Sequence, residues 1–173
     1  MNINSGLIID EPWIGLILKG QKDWEMRSRA TSYRGWFGLI RKGSGQVVGL
    51  ARLVDCGRAL NPSEMIAAHD HHRIPNSMIQ SGMVSKWVIP WQLADIRPLK
   101  SPIPYEHKSG AVTWVLFSEE VSIQLAEALE GTTPPVGNTV STLSRTIDTS
   151  LILKTSERPA ADAPLEKRTP TAV

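Results

Sequence analysis

The feature that most restricts the fold is a charged stretch bounded by glycines, GQKDWEMRSRATSYRG, which runs from Gly20 to Gly35. A buried core strand does not tolerate so many charges, because an unpaired ion in the interior is costly. A solvated helix face, in turn, has no use for the glycines or the aromatic residues. The stretch therefore predicts a polar cleft that receives a nucleic acid or a nucleotide. The charged residues that carry this prediction are Lys22, Glu25, Arg27, Arg29 and Arg34, and the aromatic neighbours are Trp24, Tyr33 and Trp36.

The first half of this stretch has a spacing, Gly20-x-Lys22-x-x-Glu25-x-Arg27, that brings opposite charges together. Gly20 permits the left-handed backbone that ends a helix. Glu25 and Arg27 lie two residues apart on a predicted strand, so their side chains share one face, and Lys22 can lean over the same face. The result is a carboxylate between two cations. It serves either as a ligand site or as an ion-pair cluster that fastens a helix to a sheet, and the residues alone give the two interpretations equal weight.

The charge of the chain is distributed unevenly. The 173 residues carry a net charge of only +2. The segment from Trp13 to Arg58 contains nine Lys and Arg against three Asp and Glu, which gives it a charge of +6 and leaves −4 for the rest of the chain. A local excess of this size is the pattern expected of a phosphate-binding surface, although it is weaker than that of a dedicated duplex-binding protein.

Composition also limits the compartment and the cofactors. Cys56 is the only cysteine, which excludes an internal disulfide and favours the cytoplasm. No apolar run approaches the ~18 residues of a membrane span, and the N-terminal segment lacks the basic start of a secretory signal. We therefore expect a cytoplasmic protein with no membrane partner and no cofactor. His69, His71 and His72 lie close together but lack partner ligands at spacings typical of zinc sites, so no metal is expected.

Hydrophobic periodicity and turn signals predict the order helix, strand, strand, strand, helix, strand, strand, helix. Short strands with few helices indicate an α+β fold, namely a small, partly open β-barrel with flanking helices, although periodicity alone does not separate this barrel from other α+β folds. Pro90 inside the fourth strand requires a bend, a bulge or an edge position. We expect Trp13, Trp87, Trp91 and Trp114 in the core. The predicted elements are a helix in 12–20, strands in 23–27, 36–42 and 46–56, a helix in 61–72, strands in 84–99 and 111–117, and a helix in 118–131, with an extended loop in 102–105.

The composition changes after Glu130. Residues 131–173 contain nine Thr, four Ser and five Pro, and no aromatic residue. Such a segment cannot bury enough apolar surface to offset the entropy of ordering. We therefore predict a domain in residues 5–130 and a disordered, Thr/Ser/Pro-rich tail in residues 131–173.

Residues 5–120 resemble an ASCH domain, the module named after the human activating signal cointegrator. The resemblance rests on the Pro12-Trp13 pair, the GxKxxExR motif, the Tyr33-Arg34-Gly35 turn and the Val48-Gly49-x-Ala51 strand. It implies a PUA-like β-barrel whose cleft against the helices is lined by Gly20, Lys22, Glu25 and Arg27. Family members are expected to bind RNA or, in some cases, DNA.

The first functional hypothesis is a nucleic-acid-binding module with RNA as the partner and DNA or a nucleoside as alternatives. Cations bind phosphates without sequence choice, aromatic rings stack on bases, and Glu25 can accept from a base amine, as acids do with cytosine N4. Protein partners cannot be predicted, and no feature specifically indicates a protein-interaction module. The predicted nucleic-acid-binding residues are Gly20, Lys22, Glu25, Arg27, Arg29, Tyr33 and Arg34.

The second hypothesis is a small hydrolase in the same cleft, with Lys22 and Glu25 as its catalytic residues. The resemblance supports it, because some small bacterial relatives are amidohydrolases that remove acyl groups from N4-acylcytidine, and others have been proposed as ribonucleases. The amidohydrolases resemble this chain at Lys22, but they have a threonine in place of Glu25 and use a second glutamate, for which Glu64 is the nearest candidate. The Glu25 carboxylate should also keep Lys22 protonated, although the positive charge of Arg27 acts in the opposite direction. A ribonuclease would take its acid or base from the histidines at 69–72.

Overall fold

The computed structural model describes residues 2–107, 110 and 113–131. Its framework is a six-stranded sheet that curls into a half-barrel, with the strand order β2-β5-β4-β3-β1-β6. β1 and β3 are parallel, and the other neighbouring strands are antiparallel. This architecture confirms the predicted α+β fold with a partly open barrel and flanking helices. The strands are β1 (Ser5–Ile9), β2 (Trp24–Arg27), β3 (Gly35–Arg41), β4 (Gln46–Cys56), β5 (Ile89–Pro104) and β6 (Trp114–Leu116).

The predicted tail in residues 131–173 lies outside the described residues, except for Gly131. The boundary between a domain in 5–130 and this tail therefore stays a prediction.

Alternating side chains give the sheet two apolar faces. On β1, Leu7 belongs to one core cluster, whereas its neighbour Ile8 packs against another. Helix α1 (Trp13–Leu18) covers the first face, and helix α5 (Glu119–Glu130) covers the second. Because both faces are covered, the end of α1 and the strand that follows it are held in a fixed position.

Three short helices form a wall beside β2. They pack around a third apolar cluster, in which Met26 of β2 contacts the helical residues Met65 and Ile79. The first helix begins with a capping box, since the side chain of Asn61 accepts from the backbone of Glu64 and the reverse bond is also present. The helices are α2 (Pro62–Ala67), α3 (His69–His72) and α4 (Asn76–Gln80).

Several elements differ from the sequence prediction. β1 and α4 were not predicted, and the helix expected in 61–72 breaks at Ala68 into α2 and α3. β1 is short, and its partners β3 and β6 lie far away in the chain, so local patterns carry little information about it. The loop expected in 102–105 is mostly strand, because β5 continues to Pro104.

The position of Pro90 agrees with the prediction of an irregular or edge position. Pro90 pairs with Met26 of β2 and lies beyond the last β4–β5 pair, Cys56 with Trp91. Pro90 therefore has no partner on β4 that would require the backbone N–H that proline lacks. The core prediction for the tryptophans is confirmed for Trp91, which is 4% exposed, and is wrong for Trp87, which is 44% exposed.

Candidate functional site

A cleft of about 530 Å³ lies between β1 and α1 on one side and the segment 74–87 on the other. Lys22 and Glu25 are buried and form its floor together with Arg27. Asp10 and Lys42 lie at its rim, where their side chains pair at 2.6 Å. The apolar residues that line the cleft are Ile8, Ile9, Trp13, Met26, Ile74, Met78, Met83, Val84 and Trp87.

The end of α1 directs the chain into the floor of the cleft. Gly20 has a φ of 69°, a left-handed conformation that glycine adopts without penalty. Its N–H donates to the Ile17 carbonyl at 2.8 Å, and the Gln21 N–H donates to the Leu16 carbonyl at 2.9 Å, as in a Schellman motif. The helix end expected at Gly20 is therefore confirmed. Gly20 supplies the turn that places Lys22 and does not itself line the cleft.

Lys22, Glu25 and Arg27 form one group of charges, here called the charged cluster. Lys22 Nζ lies 3.2 Å from Glu25 Oε2, and Arg27 Nε lies 3.3 Å from Glu25 Oε1. Lys22 Nζ also donates to the Trp24 carbonyl, and Arg27 Nη2 donates to the Ile8 carbonyl at 2.8 Å. The carboxylate thus lies between two cations, as the spacing of the motif predicts.

The burial of the charged cluster needs an explanation other than stability. Lys22 is only 1% exposed and Glu25 only 7% exposed. The desolvation of buried ions offsets most of their mutual attraction, so a buried ion pair is weak evidence for stabilisation. A cluster that only fastened a helix to a sheet would also need no open space above it. The cluster lies on the floor of a cleft, where a ligand could reach it.

Burial is the largest influence on Lys22, and it lowers the pKa of the ammonium group. The Glu25 carboxylate raises this pKa, and the positive charge of Arg27 lowers it further. The expectation from the sequence weighed the Glu25 carboxylate against the charge of Arg27 and favoured a protonated lysine. The structure adds burial as an opposing effect. The charge of Lys22 is therefore sensitive to whatever fills the cleft, and an anionic or carbonyl group there would favour the ammonium form.

Arg27 is held in one orientation. Its guanidinium lies over the Trp91 ring at 5.7 Å from the ring centre, and its Nη2 donates to the Ile8 carbonyl. Its Nε is buried and makes no hydrogen bond, although it lies within ion-pair distance of Glu25. The side chain is 17% exposed. Arg27 therefore presents a small and fixed donor surface to the cleft.

The helical wall is fastened to the motif by four contacts. The Asp23 N–H donates to the His71 carbonyl at 3.1 Å, and the Asp23 carboxylate lies 2.9 Å from His71 Nδ1. The rings of His71 and Trp24 stack at 4.4 Å. Arg73 Nε donates to the Gln21 carbonyl at 2.8 Å. These contacts fix the width of the cleft, because they join its floor to the wall.

His72 is buried and has both ring nitrogens engaged. Its Nε2 lies 2.7 Å from the Met65 carbonyl, and its Nδ1 accepts from the Ile74 N–H at 2.9 Å. This pattern requires a neutral ring with the proton on Nε2. Burial accordingly lowers the pKa of His72. None of the histidines at 69, 71 and 72 lines the cleft, so the structure does not place the acid or base that a histidine-dependent ribonuclease would need.

The His72→Gln substitution tests this assignment through the pH dependence of folding. A buried His72 with a lowered pKa stays neutral while the unfolded chain takes up a proton below about 6.5. The unfolded state then binds more protons, so stability is lost as the pH falls below this value. We expect the stability difference between wild type and His72→Gln to shrink by up to about 1.4 kcal/mol between about pH 7.5 and 5.5.

Urea denaturation at both pH values measures this difference. His71 is engaged by Asp23, and the ring of His69 contacts that of His72, so the matched control is His107→Gln, at an exposed histidine outside the helical wall. A His72→Gln variant that keeps the full acid sensitivity of the wild type would contradict a buried, neutral His72.

Arg29 and Arg34 were predicted to contact nucleic acid but do not line the cleft. The Arg29 side chain is exposed, and its carbonyl accepts from the Trp91 ring N–H at 2.9 Å. Arg34 is exposed and pairs with Asp55 at 3.1 Å. Both can meet phosphates only outside the cleft.

Tyr33 also lies away from the cleft lining. Its ring contacts Phe37 and Trp114, and its hydroxyl donates to the Trp36 carbonyl. The ring therefore belongs to the packing of the sheet and is not free to stack on a base.

Sequence reasoning missed most of the walls of the cleft. Ile74, Met78, Met83 and Trp87 come from a segment that was predicted to be loop and the start of a strand, and nothing in their spacing indicates a shared site. The only usable signal was the Pro12-Trp13 pair, because Trp13 lines the cleft and its ring lies 5.8 Å from Lys22 Nζ.

The described residues contain neither a candidate metal site nor a candidate membrane-spanning helix. No group of His, Cys, Asp and Glu in these residues is arranged to hold a metal ion. No helix in the same part of the chain is long and apolar enough to cross a membrane.

Comparison with known proteins gives the family and the fold. No curated protein matches the chain significantly. The structure is similar to that of an ASCH protein from Zymomonas mobilis, with a TM-score of 0.58 and 13% identity over 75% of this chain and 96% of that chain. A tyrosine-to-phenylalanine mutant of the Zymomonas mobilis protein has a TM-score of 0.56 at 13% identity, over 75% of this chain and 98% of the other. A serine-to-alanine mutant of the same protein has a TM-score of 0.55 at 13% identity, over 77% of this chain and 100% of the other.

These likenesses confirm the half-barrel fold, and at 13% identity they show the fold alone. The sequence itself matches the ASCH domain over residues 7–109, which is more than half of the chain. The chain therefore belongs to the ASCH domain family.

Proposed function

We propose that this protein binds RNA and that one unpaired nucleotide of the bound strand enters the cleft. The observation that carries the proposal is the charged cluster of Lys22, Glu25 and Arg27 on the floor of a cleft of about 530 Å³. That volume falls within the roughly 300–1,000 Å³ typical of small-ligand sites. Membership of the ASCH family supports the same class of ligand, because its PUA-like fold is often linked to RNA binding.

The charged cluster complements the polar edge of a nucleobase. Lys22 and Arg27 donate hydrogen bonds, and Glu25 accepts them. The carbonyl oxygens and ring nitrogens of a base can accept from the two cations, while an amino or imino group donates to Glu25. An apolar ligand would instead cover three charges without giving them hydrogen bonds, which is costly.

The depth of the floor favours an unpaired nucleotide over a duplex. Because Lys22 and Glu25 are almost fully buried, only a group that projects into the cleft can reach them. Bases in a duplex are stacked and paired, whereas bases in single strands, loops and bulges can be splayed out. Lys42 at the rim is 63% exposed and is available to the phosphates that flank the inserted nucleotide.

A hydrolase that acts on a modified nucleoside in the same cleft is the second candidate. One observation favours it: burial lowers the pKa of Lys22, and a neutral amine can accept a proton. Amide hydrolysis also needs a nucleophile and an oxyanion donor within reach, and Glu25 occupies the position where the amidohydrolase relatives have threonine. Glu64, the candidate second glutamate, pairs with Arg58 at 2.5 Å and does not line the cleft.

Fluorescence anisotropy with labelled RNA tests the proposal. We expect a short single-stranded RNA to bind more tightly than a blunt duplex of the same sequence. Affinity should fall with salt, because each phosphate contact to a single strand contributes about −0.7 to the slope of log K against log salt. With two or three such contacts, a roughly fourfold rise in salt weakens binding about 7- to 20-fold.

The same samples separate binding from hydrolysis. Intact RNA on a denaturing gel after incubation agrees with the binding module. No salt-sensitive binding to any RNA, together with release of the acyl group from a free N4-acylated cytidine, would contradict the proposal and support the hydrolase.

A further inference from the structure

Two large apolar side chains are exposed at the cleft. Trp87 is 44% exposed and Met83 is 65% exposed, and both line the cleft. Single exposed apolar residues are normal on protein surfaces. A tryptophan and a methionine that share one cleft are a different case, because together they place an apolar surface beside a buried group of charges.

The segment that carries Trp87 is held by its backbone and by its neighbours. The Trp87 N–H donates to the Val84 carbonyl at 2.9 Å, and the Leu60 N–H donates to the Val88 carbonyl at 2.9 Å. Val84 is buried in the apolar cluster of the helical wall. The backbone at Trp87 is therefore held in place although the ring is half exposed, and the residue lines the cleft.

An exposed ring beside a charged floor suits a ligand with a flat apolar face and a polar edge. A nucleobase has both features, because its face stacks on an aromatic ring and its edge hydrogen-bonds with charged side chains. Met83 can add contacts from its polarizable sulfur to the base. A phosphate alone would pair with the cations but make no contact with the indole face. An aliphatic chain would pack on the indole but give no hydrogen bond to the charged cluster.

We propose that Trp87 is the stacking platform for the base that enters the cleft, a role that rests on the RNA-binding function proposed above. Recognition at this site then requires the base and not only the sugar-phosphate backbone. The charged cluster hydrogen-bonds with the edge of the base, and the Trp87 ring stacks on its face. Trp87 is in this sense the residue that makes the site selective for an unpaired, base-bearing nucleotide.

Two oligomers of equal length test this role: a single-stranded RNA and a ribose-phosphate chain without bases. Trp87→Ala should weaken binding of the RNA about 5- to 150-fold, the range for loss of one base–aromatic stack. It should leave binding of the base-free chain within about twofold, because no stack is lost there. Trp87→Phe should retain most of the RNA affinity, since a smaller ring still stacks. Ile123→Ala is the matched control, because Ile123 is 53% exposed and lies outside the cleft.

The outcomes separate the platform from the function on which it rests. Equal RNA binding by wild type and Trp87→Ala would overturn the platform while leaving RNA binding intact. An equal loss for both oligomers would also overturn it, because the effect would not depend on the base. If the wild type binds neither oligomer, binding of adenosine monophosphate is measured next. Binding that is lost in Trp87→Ala would support the stacking platform without polymer binding. No binding of this nucleotide would overturn both the platform and the proposed function.

Discussion

Replacing Lys22 by methionine is expected to weaken RNA binding about 10- to 150-fold, the value of losing one hydrogen bond to a charged group. Methionine keeps the length and the apolar stem of lysine but removes the charge. Lys22 Nζ lies 3.2 Å from Glu25 and within reach of the cleft, so its loss removes a donor from the floor and leaves Glu25 with Arg27 as its only cation in the charged cluster. Fluorescence anisotropy with single-stranded RNA measures the change.

Lys19→Met is the matched control for this prediction. Lys19 is exposed, lies only three positions earlier in the chain, and does not line the cleft. The same loss of one positive charge should therefore change the affinity only through the overall field, by about twofold or less. An equal loss of affinity in both variants would indicate a general charge effect and would contradict a specific role for Lys22.

The Glu25→Leu substitution is expected to lower the free energy of unfolding by about 3–5 kcal/mol, as is usual when one partner of a buried ion pair is removed. Leucine leaves the cations of Lys22 and Arg27 without their shared carboxylate in a region where Lys22 is 1% exposed. The pKa of Lys22 should fall further, because Glu25 raises it more than any other group does. Urea denaturation at neutral pH measures the loss.

The double variant Lys22→Met/Glu25→Leu separates stability from function. Replacing a whole buried ion pair by apolar residues is often neutral or stabilising, so we expect the double variant to recover most of the stability that Glu25→Leu loses. It should nevertheless bind RNA no better than Lys22→Met. Recovery of RNA binding along with stability would contradict a ligand-binding role for the charged cluster and would reduce it to a fastening between helix and sheet.

The local parts of the site were predictable from the sequence. Gly20 ends a helix because only glycine adopts that backbone without penalty, and Glu25 and Arg27 share a face because strand residues alternate. Both inferences depend on a few adjacent residues, and both agree with the structure. The α+β class was also predictable from strand patterns and turn signals. The half-barrel itself was specified by the resemblance to the ASCH domain, because periodicity does not separate it from other α+β folds.

The parts that depend on distant contacts were not predictable. The width of the cleft depends on the helical wall, whose attachment through His71 and Arg73 lies some fifty residues further along the chain. The exposure of Trp87 is likewise a result of where α4 and β5 meet, and composition alone favoured the core. Tyr33 shows the opposite error. The sequence around it predicts a surface residue, but its ring packs against Phe37 and Trp114.

The measurement that tests the central claim most directly is photocrosslinking of single-stranded RNA containing 4-thiouridine, followed by trypsin digestion and mass spectrometry. If a nucleotide enters the cleft, the crosslinked peptides should be 23–27, which carries Glu25 and Arg27, and 87–100, which begins with Trp87. In Lys22→Met trypsin no longer cuts after position 22, so crosslinks should be absent from peptide 20–27 and from peptide 87–100. In Lys19→Met the crosslinks on 23–27 and 87–100 should persist. Crosslinks confined to peptides of α5, on the other face of the sheet, would contradict the claim that this cleft binds the RNA.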